Sequence, residues 1–216
     1  MKNLEVPNTK EESKKQISEI MAEFTKGFKF TADIKKAVAI FGSSLAFEKN
    51  SHYKEARYLA KLLVKEKFTV VTGGGQGIME AANRGAFEAH GNSIGINIKL
   101  PKYQPQNNYV TKSIRFNYFF VRKTMFSLTC SVFVFLPGGF GTLDEFFEMA
   151  NLAKTKKLKG SPVIVAVGKD YWQPLFDWLW KNVCQKHKAI SKRDLKMFHL
   201  VDSAKEALEI IKKYTY

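Results

Sequence analysis

Long apolar runs are missing from this sequence, and cysteine is nearly missing. No stretch approaches the roughly 18 uninterrupted apolar residues that a membrane-spanning helix needs, so we expect no membrane partner. Cys130 and Cys184 are far apart and form no CxxC pair, and no histidine stands at metal-ligand spacing, so neither a disulfide framework nor a zinc site is predicted. The N-terminal segment lacks a basic start followed by an apolar core. We therefore expect no secretory signal and a cytoplasmic location.

Acidic residues are scarce relative to basic ones, with 20 against 35 and a formal net charge of +15. This excess favours anionic partners in general, including nucleotides, nucleic acids and acidic proteins. Much of it lies in two lysine-rich segments, residues 154–160 and 181–196. Neither segment carries an RNP, zinc-finger or helix-turn-helix signature, so we interpret both as solvated faces and do not favour nucleic acid as a partner. The alternative, a nucleic-acid binder, predicts salt-sensitive binding through these lysines.

What the sequence does contain, from Lys36 onward, is an alternation of short apolar strands with helical stretches. These helices are predicted at Ser51 to Lys65, Ile78 to His90, around Arg122 to Thr129, from Thr142, near Trp172 to Lys186 and at Ser203 to Lys213. The predicted strands VAIF, TVV, VFVFL and VIVAV are continuously apolar, which is typical of a parallel sheet with helices on both faces. We therefore predict one α/β domain over residues 36–216, with a doubly wound, Rossmann-like parallel sheet. Residues 1–35 are predicted to be an N-terminal helical extension, because apolar positions recur at helical spacing between Glu11 and Phe28.

Small residues follow three of the predicted strands, at residues 42–44, 73–77 and 138–142. Ligands of a doubly wound sheet bind beyond the carboxyl ends of its strands, so these three loops are expected to form one site. Glycine lets a ligand approach the backbone, and the helix that follows offers free N–H groups, so phosphate is the expected ligand. The alternative is that these glycines serve only tight turns.

Two common nucleotide motifs do not fit these loops. A dinucleotide fingerprint counted from Gly73 has Ile78 where its third glycine should stand, and the following strand ends at Lys99 without a ribose-binding acid. No loop offers the Gly-Lys-Ser/Thr of a Walker A motif. NAD binding and ATP hydrolysis are therefore not predicted, and no cofactor or metal is expected.

Glu145 follows the third loop and allows two interpretations. It is either a functional carboxylate or the last residue of a capping box that begins at Thr142. Ser203 and Glu206 have the same spacing with no glycine loop nearby, so the pattern alone does not decide.

Three other charged residues also allow two interpretations each. Arg122 and Lys123 lie near the start of a predicted helix, where cations are disfavoured unless an anion compensates. A bound phosphate would be that anion, and the alternatives are an exposed surface pair or a misplaced helix boundary. Glu80 either accepts hydrogen bonds from a sugar or base, or is simply a favourable acid in a first helical turn.

Several of these segments together resemble the LOG family, the cytokinin-activating phosphoribohydrolases that are often labelled lysine decarboxylases. The segments are PGGFGTLDE (residues 137–145), GGGQGIMEA (73–81), FGSS (41–44) and the pair Arg122-Lys123. The resemblance runs from about Val38 to Trp180. It implies hydrolysis of the N-glycosidic bond of a nucleoside 5′-monophosphate, AMP or a cytokinin riboside 5′-monophosphate, to free base and ribose 5-phosphate. It also implies a homodimer or a higher homo-oligomer.

By position, the resemblance implies that Arg122 and Glu145 are catalytic. It implies substrate-binding roles for Glu80, Lys123, Gly139, Phe140, Gly141 and Thr142, and the small-residue loops add Ser43, Gly74 and Gly75. No lysine stands in a recognisable pyridoxal-phosphate context, so the decarboxylase label has no support in the sequence. The alternative from another functional class is a non-catalytic nucleotide-binding or carrier module, which would use the same loops without needing Glu145.

Overall fold

The computed structural model describes residues 7–101, 104–158 and 160–215; the first residues of the N-terminal segment, 1–6, lie outside it. The described helices are α1 (Lys10–Thr31), α2 (Ser51–Lys65), α3 (Ile78–Glu88), α4 (Phe119–Thr129), α5 (Phe140–Lys154), α6 (Lys169–Trp178), a π-helical segment (Leu179–Lys186), α7 (Lys192–Leu195) and α8 (Ala204–Thr215). The described strands are β1 (Ala37–Phe41), β2 (Thr69–Thr72), β3 (Ser93–Ile98), β4 (Lys112–Phe116), β5 (Cys130–Phe135), β6 (Val163–Val167) and β7 (Phe198–Val201). Across these ranges no helix combines the length and apolar character that a membrane span requires.

The strands form one parallel sheet in the order β4-β3-β2-β1-β5-β6-β7. Every residue of β1, β2 and β6 is buried, as their continuously apolar sequences predict. The strand order changes direction between β1 and β5, and such a switch point opens a crevice at the carboxyl ends of the strands. The predicted doubly wound, Rossmann-like α/β fold is confirmed.

Two hydrophobic cores lie on the two faces of the sheet. Successive residues of β1 point into opposite cores, with Val38 and Ile40 on one face and Ala39 and Phe41 on the other. Helices α2, α3 and α8 cover the first face. Helices α4, α5 and α6 cover the second, and α1 adds partly buried side chains to it. This arrangement puts α4 and α5 side by side next to the switch point.

Helix α1 is attached to the start of α4. Its Glu23 accepts hydrogen bonds from the backbone N–H of Asn117 at 2.7 Å and of Tyr118 at 3.3 Å. Tyr118 is the N-cap residue of α4 and makes no side-chain cap of its own. Glu23 bonds to the N–H groups of this N-cap and of the residue before it, and so fixes the entry of the chain into α4. A Cβ added at Gly27 would meet the Met125 side chain of α4, which shows how closely the two helices pack. The division of the chain into residues 1–35 and 36–216 stays a prediction.

Two helix starts differ from the sequence prediction. Helix α4 begins at Phe119, ahead of Arg122, and α5 begins at Phe140 rather than at Thr142. Gly139 is the N-cap of α5 and has no side chain to cap it. The capping box at Thr142 is therefore wrong, because the helix has already begun two residues earlier.

The C-terminal third contains elements that the sequence prediction did not include. The helix expected near Trp172 to Lys186 is α6, which begins at Lys169 and continues into the π-helical segment. The short helix α7 and the edge strand β7 were not predicted. Strand β7 has only four residues and only Val201 is fully buried, so its apolar signal is weak. Cys130 is buried and Cys184 is partly buried, and both are free thiols.

Candidate functional site

A cavity of about 400 Å³ opens at the carboxyl ends of the strands on both sides of the switch point. The start of α5 forms one wall, and Ser43 and Ser44 from the loop after β1 adjoin it. Arg122 and Glu145 lie on its lining together with the glycine loop after β2. The three small-residue loops therefore do converge on one cavity.

Backbone hydrogen bonds join these loops to one another. The Ser43 N–H donates to the Pro137 carbonyl at 3.0 Å, and the Ser43 carbonyl accepts from the Ile78 N–H at 2.9 Å. The Tyr171 hydroxyl donates to the Gly138 carbonyl at 2.6 Å. Ser43, in the loop after β1, is thus bonded both to the loop after β5 and to the start of α3. Tyr171 of α6 adds a hydrogen bond to the loop after β5.

The first turn of α5 presents free N–H groups to the cavity. The first intrahelical bond of this turn runs from the Leu143 N–H to the Gly139 carbonyl at 3.1 Å, so the N–H groups of Phe140, Gly141 and Thr142 have no partner within the helix. A Cβ added at Gly139 or Gly141 would meet no described atom within 4 Å. Packing therefore does not require glycine at either position, and the missing side chains leave open space in front of the N–H groups.

The glycines after β2 have a different reason to be glycine. A Cβ at Gly73 would collide with Nη2 of Arg122, and one at Gly74 would collide with the side chain of Asn97. Gly74 also has φ of +72°, a left-handed conformation that favours glycine. Turn geometry therefore explains Gly74 and packing on Arg122 explains Gly73, but neither explains the two glycines at the start of α5.

Arg122 and Glu145 face each other in the cavity, with Nη1 of Arg122 at 3.8 Å from Oε1 of Glu145. Their side chains are only 10% and 15% exposed. The Arg122 Nε–H donates to the Ile96 carbonyl at 2.8 Å, and its guanidinium carbon lies 5.3 Å from the Phe126 ring centre. These contacts hold the guanidinium against β3 and α4 while one edge stays turned towards Glu145.

Burial opposes charge on both members of this pair. It raises the pKa of Glu145 from 4.5 to about 7, although the positive charge of Arg122 pulls that pKa down. Burial likewise lowers the pKa of Arg122, and the negative charge of Glu145 opposes this shift. Glu145 is thus able to gain or lose a proton near neutral pH, which is the property of a general acid or base.

Glu145 has no part in capping α5. It lies in the second turn of the helix, beyond the residues that can bond to the N-cap. The comparable pair near the C-terminus does cap, because Ser203 Oγ accepts from the Glu206 N–H at 3.3 Å at the start of α8. The two pairs have the same spacing, and only the structure separates the functional candidate from the cap.

Three residues with predicted substrate roles are not part of the described cavity lining: Lys123, Glu80 and Gly74. Lys123 Nζ lies 3.0 Å from Asp144 and 2.9 Å from Glu148, so it ties α4 to α5. Burial lowers the pKa of Lys123, but the hydrogen bonds with Glu148 and Asp144 outweigh it and the pKa is raised. Carboxylates of the protein thus compensate this cation, where a bound phosphate was expected.

Glu80 lies on the other face of the sheet. Its Oε1 accepts a hydrogen bond from the Tyr53 hydroxyl at 3.0 Å, and Tyr53 belongs to the core between α2 and α3. Burial is the main cause that raises the pKa of Tyr53 to about 12. The substrate roles of Glu80, Lys123 and Gly74 stay predictions.

The far wall of the cavity, formed by β3, β4 and their connection, is of mixed polarity, and its polar residues were missed by the sequence analysis. Asn97 at the end of β3, Gln104 in the connection that follows and Arg115 on β4 all line it, next to Phe119. None of them belongs to a recognisable motif. The only available signal was their position at or after the carboxyl end of two strands of a parallel sheet.

Two other kinds of chemistry, metal binding and Schiff-base formation, each require particular side chains. Within residues 7–101, 104–158 and 160–215, no three His, Cys, Asp or Glu side chains come together to hold a metal ion. The described lining of the cavity also includes no lysine that could form a Schiff base.

Comparison with known proteins identifies relatives of both the sequence and the fold. A protein-family profile described as "Possible lysine decarboxylase" matches residues 79–211. A cytokinin riboside 5′-monophosphate phosphoribohydrolase of Arabidopsis thaliana is 26% identical over 183 residues, 82% of each chain. A protein of the same name from Rhodococcoides fascians is 22% identical over 147 residues, 67% of this chain and 74% of the relative.

Solved structures share the fold. The molybdenum cofactor binding protein of Rippkaea orientalis superposes with a TM-score of 0.61 at 24% identity, over 82% of this chain and 94% of the other. The molybdenum cofactor carrier protein of Chlamydomonas reinhardtii gives a TM-score of 0.59 at 21% identity, over 83% and 98% of the two chains. At these identities the likeness concerns the fold alone.

The family match covers more than half of the chain and includes Arg122 and the 137–145 motif that begins α5. Together with the relatives and the shared fold, it means that this protein belongs to the LOG family, whose profile carries the description "Possible lysine decarboxylase".

Proposed function

We propose that this protein hydrolyses the N-glycosidic bond of a nucleoside 5′-monophosphate, AMP or a cytokinin riboside 5′-monophosphate, and releases free base and ribose 5-phosphate. The observation that carries the proposal is that one cavity combines an open glycine turn at a helix start with a buried carboxylate whose pKa is raised to about 7. The names of the relatives, which are phosphoribohydrolases of a nucleoside 5′-monophosphate, support the same reaction class.

The phosphate would bind at the first turn of α5. The free N–H groups of Phe140, Gly141 and Thr142 and the positive end of the helix dipole both favour an anion there. The open space in front of Gly139 and Gly141 allows phosphate oxygens to reach these groups. Binding energy from this remote phosphate would hold the sugar next to Glu145, so free nucleosides should react poorly.

The chemistry requires only water as co-reactant. The bond between C1′ and the base nitrogen breaks, its electron pair leaves with the base, and the water oxygen bonds to C1′. In its ionised form Glu145 would stabilise the positive charge that develops on the sugar and take a proton from the attacking water. The departing base nitrogen then takes up the proton that Glu145 received from the water, so Glu145 is again ionised and the reaction balances. Arg122 would hold the carboxylate in place and contact the substrate through its free edge.

The direct test is incubation of the purified protein with AMP, followed by measurement of adenine and ribose 5-phosphate. Equal amounts of the two products are expected, and adenosine should give far less adenine. Glu145→Gln keeps the shape of the side chain and should lower kcat by about a hundredfold or more, the scale of a positioned acid, base or electrostatic group. A non-catalytic carrier would return AMP intact.

Arg122→Ala provides a second arm of the test. If Arg122 contacts the substrate, turnover or binding should fall without a comparable fall in thermal stability. A parallel fall in both would instead indicate a structural role. A panel of nucleoside monophosphates that includes a cytokinin riboside 5′-monophosphate then identifies the preferred base.

The expected homo-oligomer is part of this proposal and is supported by the family resemblance. Size-exclusion chromatography with light scattering tests it, since a mass of a single 24.6 kDa chain at working concentration would contradict it.

A further inference from the structure

A buried polar network lies beneath the glycine loop after β2, and its centre is Asn83 of α3. The Asn83 side chain is fully buried. Its Oδ1 accepts from the Thr72 hydroxyl at 2.6 Å and from the Asn107 amide at 2.9 Å, and its Nδ2 donates to Ser93 Oγ at 2.8 Å. Buried polar groups are costly unless they are bonded, and this amide is bonded on both sides. The four side chains come from four separate segments of the chain.

One side of the network holds the glycine loop. The Gly74 N–H donates to the Thr72 hydroxyl at 2.9 Å, and the Gly74 carbonyl accepts from the Asn107 N–H at 2.9 Å. The Asn107 side chain also donates to the Gly75 carbonyl at 2.8 Å. Because these bonds turn Gly74 into the protein, Gly73 and Gly75 are the glycines of this loop that line the cavity.

The loop in turn forms one side of the seat of Arg122. Gly73 packs so closely on the guanidinium that a Cβ there would collide with Nη2. The Arg122 side chain is also held by the hydrogen bond from its Nε–H to the Ile96 carbonyl at 2.8 Å. A shift of the loop would therefore free the guanidinium to move relative to Glu145, from which Nη1 is 3.8 Å away.

The same network also holds the far wall of the cavity. Gln104 and Pro105 line that wall and lie just before Asn107 in the chain. A second bond, from Asn97 Nδ2 to Gln106 Oε1 at 2.7 Å, ties this connection to the end of β3. Asn107 thus joins the far wall to the glycine loop.

We infer that Thr72 and Asn107, both held by the buried amide of Asn83, are positioning residues for the reaction. They set the place of the glycine loop, and through it the place of Arg122, without contacting the substrate. This inference rests on the proposed function for its kinetic test. It predicts that losing a hydrogen bond between the network and the glycine loop, at Thr72 or Asn107, lowers turnover. Losing the hydrogen bond between Asn83 and Ser93, away from the loop, should lower stability only.

Thr72 and Ser93 provide a matched pair of variants, because each contributes one hydroxyl that is hydrogen-bonded to the Asn83 amide. Thr72→Val keeps the side-chain shape and removes the acceptor of the Gly74 N–H. Ser93→Ala removes the Oγ acceptor of Asn83 Nδ2 on the side away from the loop and leaves the more distant Ile94 carbonyl at 3.5 Å. Thr72→Val should lower kcat for AMP by about tenfold to a hundredfold, the effect of a small misplacement of a reacting group, and should change KM by less than about threefold. Ser93→Ala should keep kcat within about twofold at a comparable loss of thermal stability.

Thr72→Ser keeps the hydroxyl and should restore kcat. The inference is overturned if Thr72→Val and Ser93→Ala have the same kcat, or if Thr72→Ser does not recover it. Should Thr72→Val fail to fold, Asn107→Ala is measured against Ser93→Ala with the same expected difference in kcat.

Amide hydrogen exchange provides a readout that does not need turnover. The Gly74 N–H should be protected in the wild-type protein and in Ser93→Ala, and should exchange at least about tenfold faster in Thr72→Val, since its acceptor is gone. Equal protection in all three proteins would overturn the inference. If the wild-type protein releases no base from any nucleotide, the proposed function fails, while the exchange experiment still decides whether the network holds the loop.

Discussion

At the scale of single residues, the charge of Glu145 is set by two opposing effects. Burial favours the neutral acid and raises the pKa to about 7, while Arg122 and Lys123 favour the carboxylate. Burial outweighs the two cations, because Arg122 is 3.8 Å away rather than in direct hydrogen bond and the negative charges of Asp144 and Glu148 lie nearby. The protein thus keeps a carboxyl group whose pKa is raised towards neutral pH.

This pKa predicts how activity depends on pH. If the carboxylate is the active form, kcat/KM for AMP should rise about tenfold per pH unit below about pH 7 and level off above it. The phosphate of AMP also titrates, at about pH 6. Only an increase in kcat/KM that is present in the wild-type pH profile and absent from that of Glu145→Gln is therefore assigned to Glu145. Initial rates between pH 5 and 9 measure the profile. A rate that falls as pH increases through 7 would mean that the protonated acid is active.

The glycines predict a separation between binding and stability. Gly141→Ala should raise KM for AMP by about tenfold or more, since the added methyl group occupies the space of the phosphate, while stability changes by less than about 0.5 kcal/mol. Gly74→Ala is the matched control, because φ of +72° and the nearby Asn97 side chain make it destabilising by about 1–2 kcal/mol or more. Steady-state kinetics and urea unfolding measure the two effects. A stability loss in Gly141→Ala equal to that in Gly74→Ala would contradict the separation.

At the scale of elements, local patterns predicted the existence of helices more accurately than their first residues. Helix α2 was predicted at Ser51 to Lys65 and has these bounds, because an amphipathic pattern coincides with a clear start at Asn50. Helix α5 was placed two residues late, because Thr142 looks like a cap. The N-cap is instead Gly139, which has no side chain to accept a hydrogen bond from the free N–H groups of the first turn. A sequence pattern that assumes a side-chain cap cannot find such a helix start.

Contacts between distant segments were beyond the sequence analysis. Asn83 and Asn107 meet although 24 positions separate them, and nothing in the local pattern of either segment indicates this bond. The same is true of Arg115 and Gln104, which line the cavity only because neighbouring strands end together. By contrast, the family resemblance pointed to both Arg122 and Glu145, and both line the cavity, while their catalytic roles stay predictions.

The attachment of α1 predicts a stability effect at the start of α4. Glu23→Ala removes the acceptor for the N–H groups of Asn117 and Tyr118, and should destabilise the protein by about 1 kcal/mol, the typical value of a helix cap. For a chain of this size the melting temperature should fall by about 2–4 °C. Glu209→Ala removes the same charge from an exposed site on α8 and should leave stability nearly unchanged. Equal effects of the two substitutions would show that Glu23 does not cap α4.

At the scale of the whole molecule, the sheet order determines where the functional groups can meet. The helices that follow β1 and β5 cover opposite faces of the sheet, which opens the crevice at the switch point, while α4 and α5 cover the same face beside it. Arg122 and Glu145 come from these two helices, and Lys123 ties them together through Asp144 and Glu148. The doubly wound parallel sheet was predicted from apolar strands that alternate with helices, whereas the strand order comes from the structure. The edge strand β7 could not be predicted, because His199 and partial exposure interrupt its apolar pattern.

A buried acid with a raised pKa also affects the stability of the whole molecule. Between about pH 4.5 and 7 the folded protein holds a proton on Glu145 that the unfolded chain releases, so this group stabilises the fold fully below that window and progressively less as pH rises through it. Glu88 has the opposite shift, since its hydrogen bonds with Arg57, Lys61 and Arg84 outweigh burial and lower its pKa to about 2. Its contribution changes only below about pH 4.5, outside the window of Glu145.

Glu145→Gln should therefore become more stable relative to the wild type as pH increases. Gln stays neutral at every pH, and each unit of pKa shift corresponds to about 1.4 kcal/mol, so the relative gain between pH 5 and 8 has an upper value of about 3 kcal/mol. Thermal unfolding of both proteins without nucleotide at pH 5 and pH 8 measures this difference. Glu209→Gln makes the same charge change at an exposed position and should show no such trend. A constant difference between Glu145→Gln and wild type would mean that the carboxyl group titrates as in the unfolded chain, and the cavity would then hold no acid poised near neutrality.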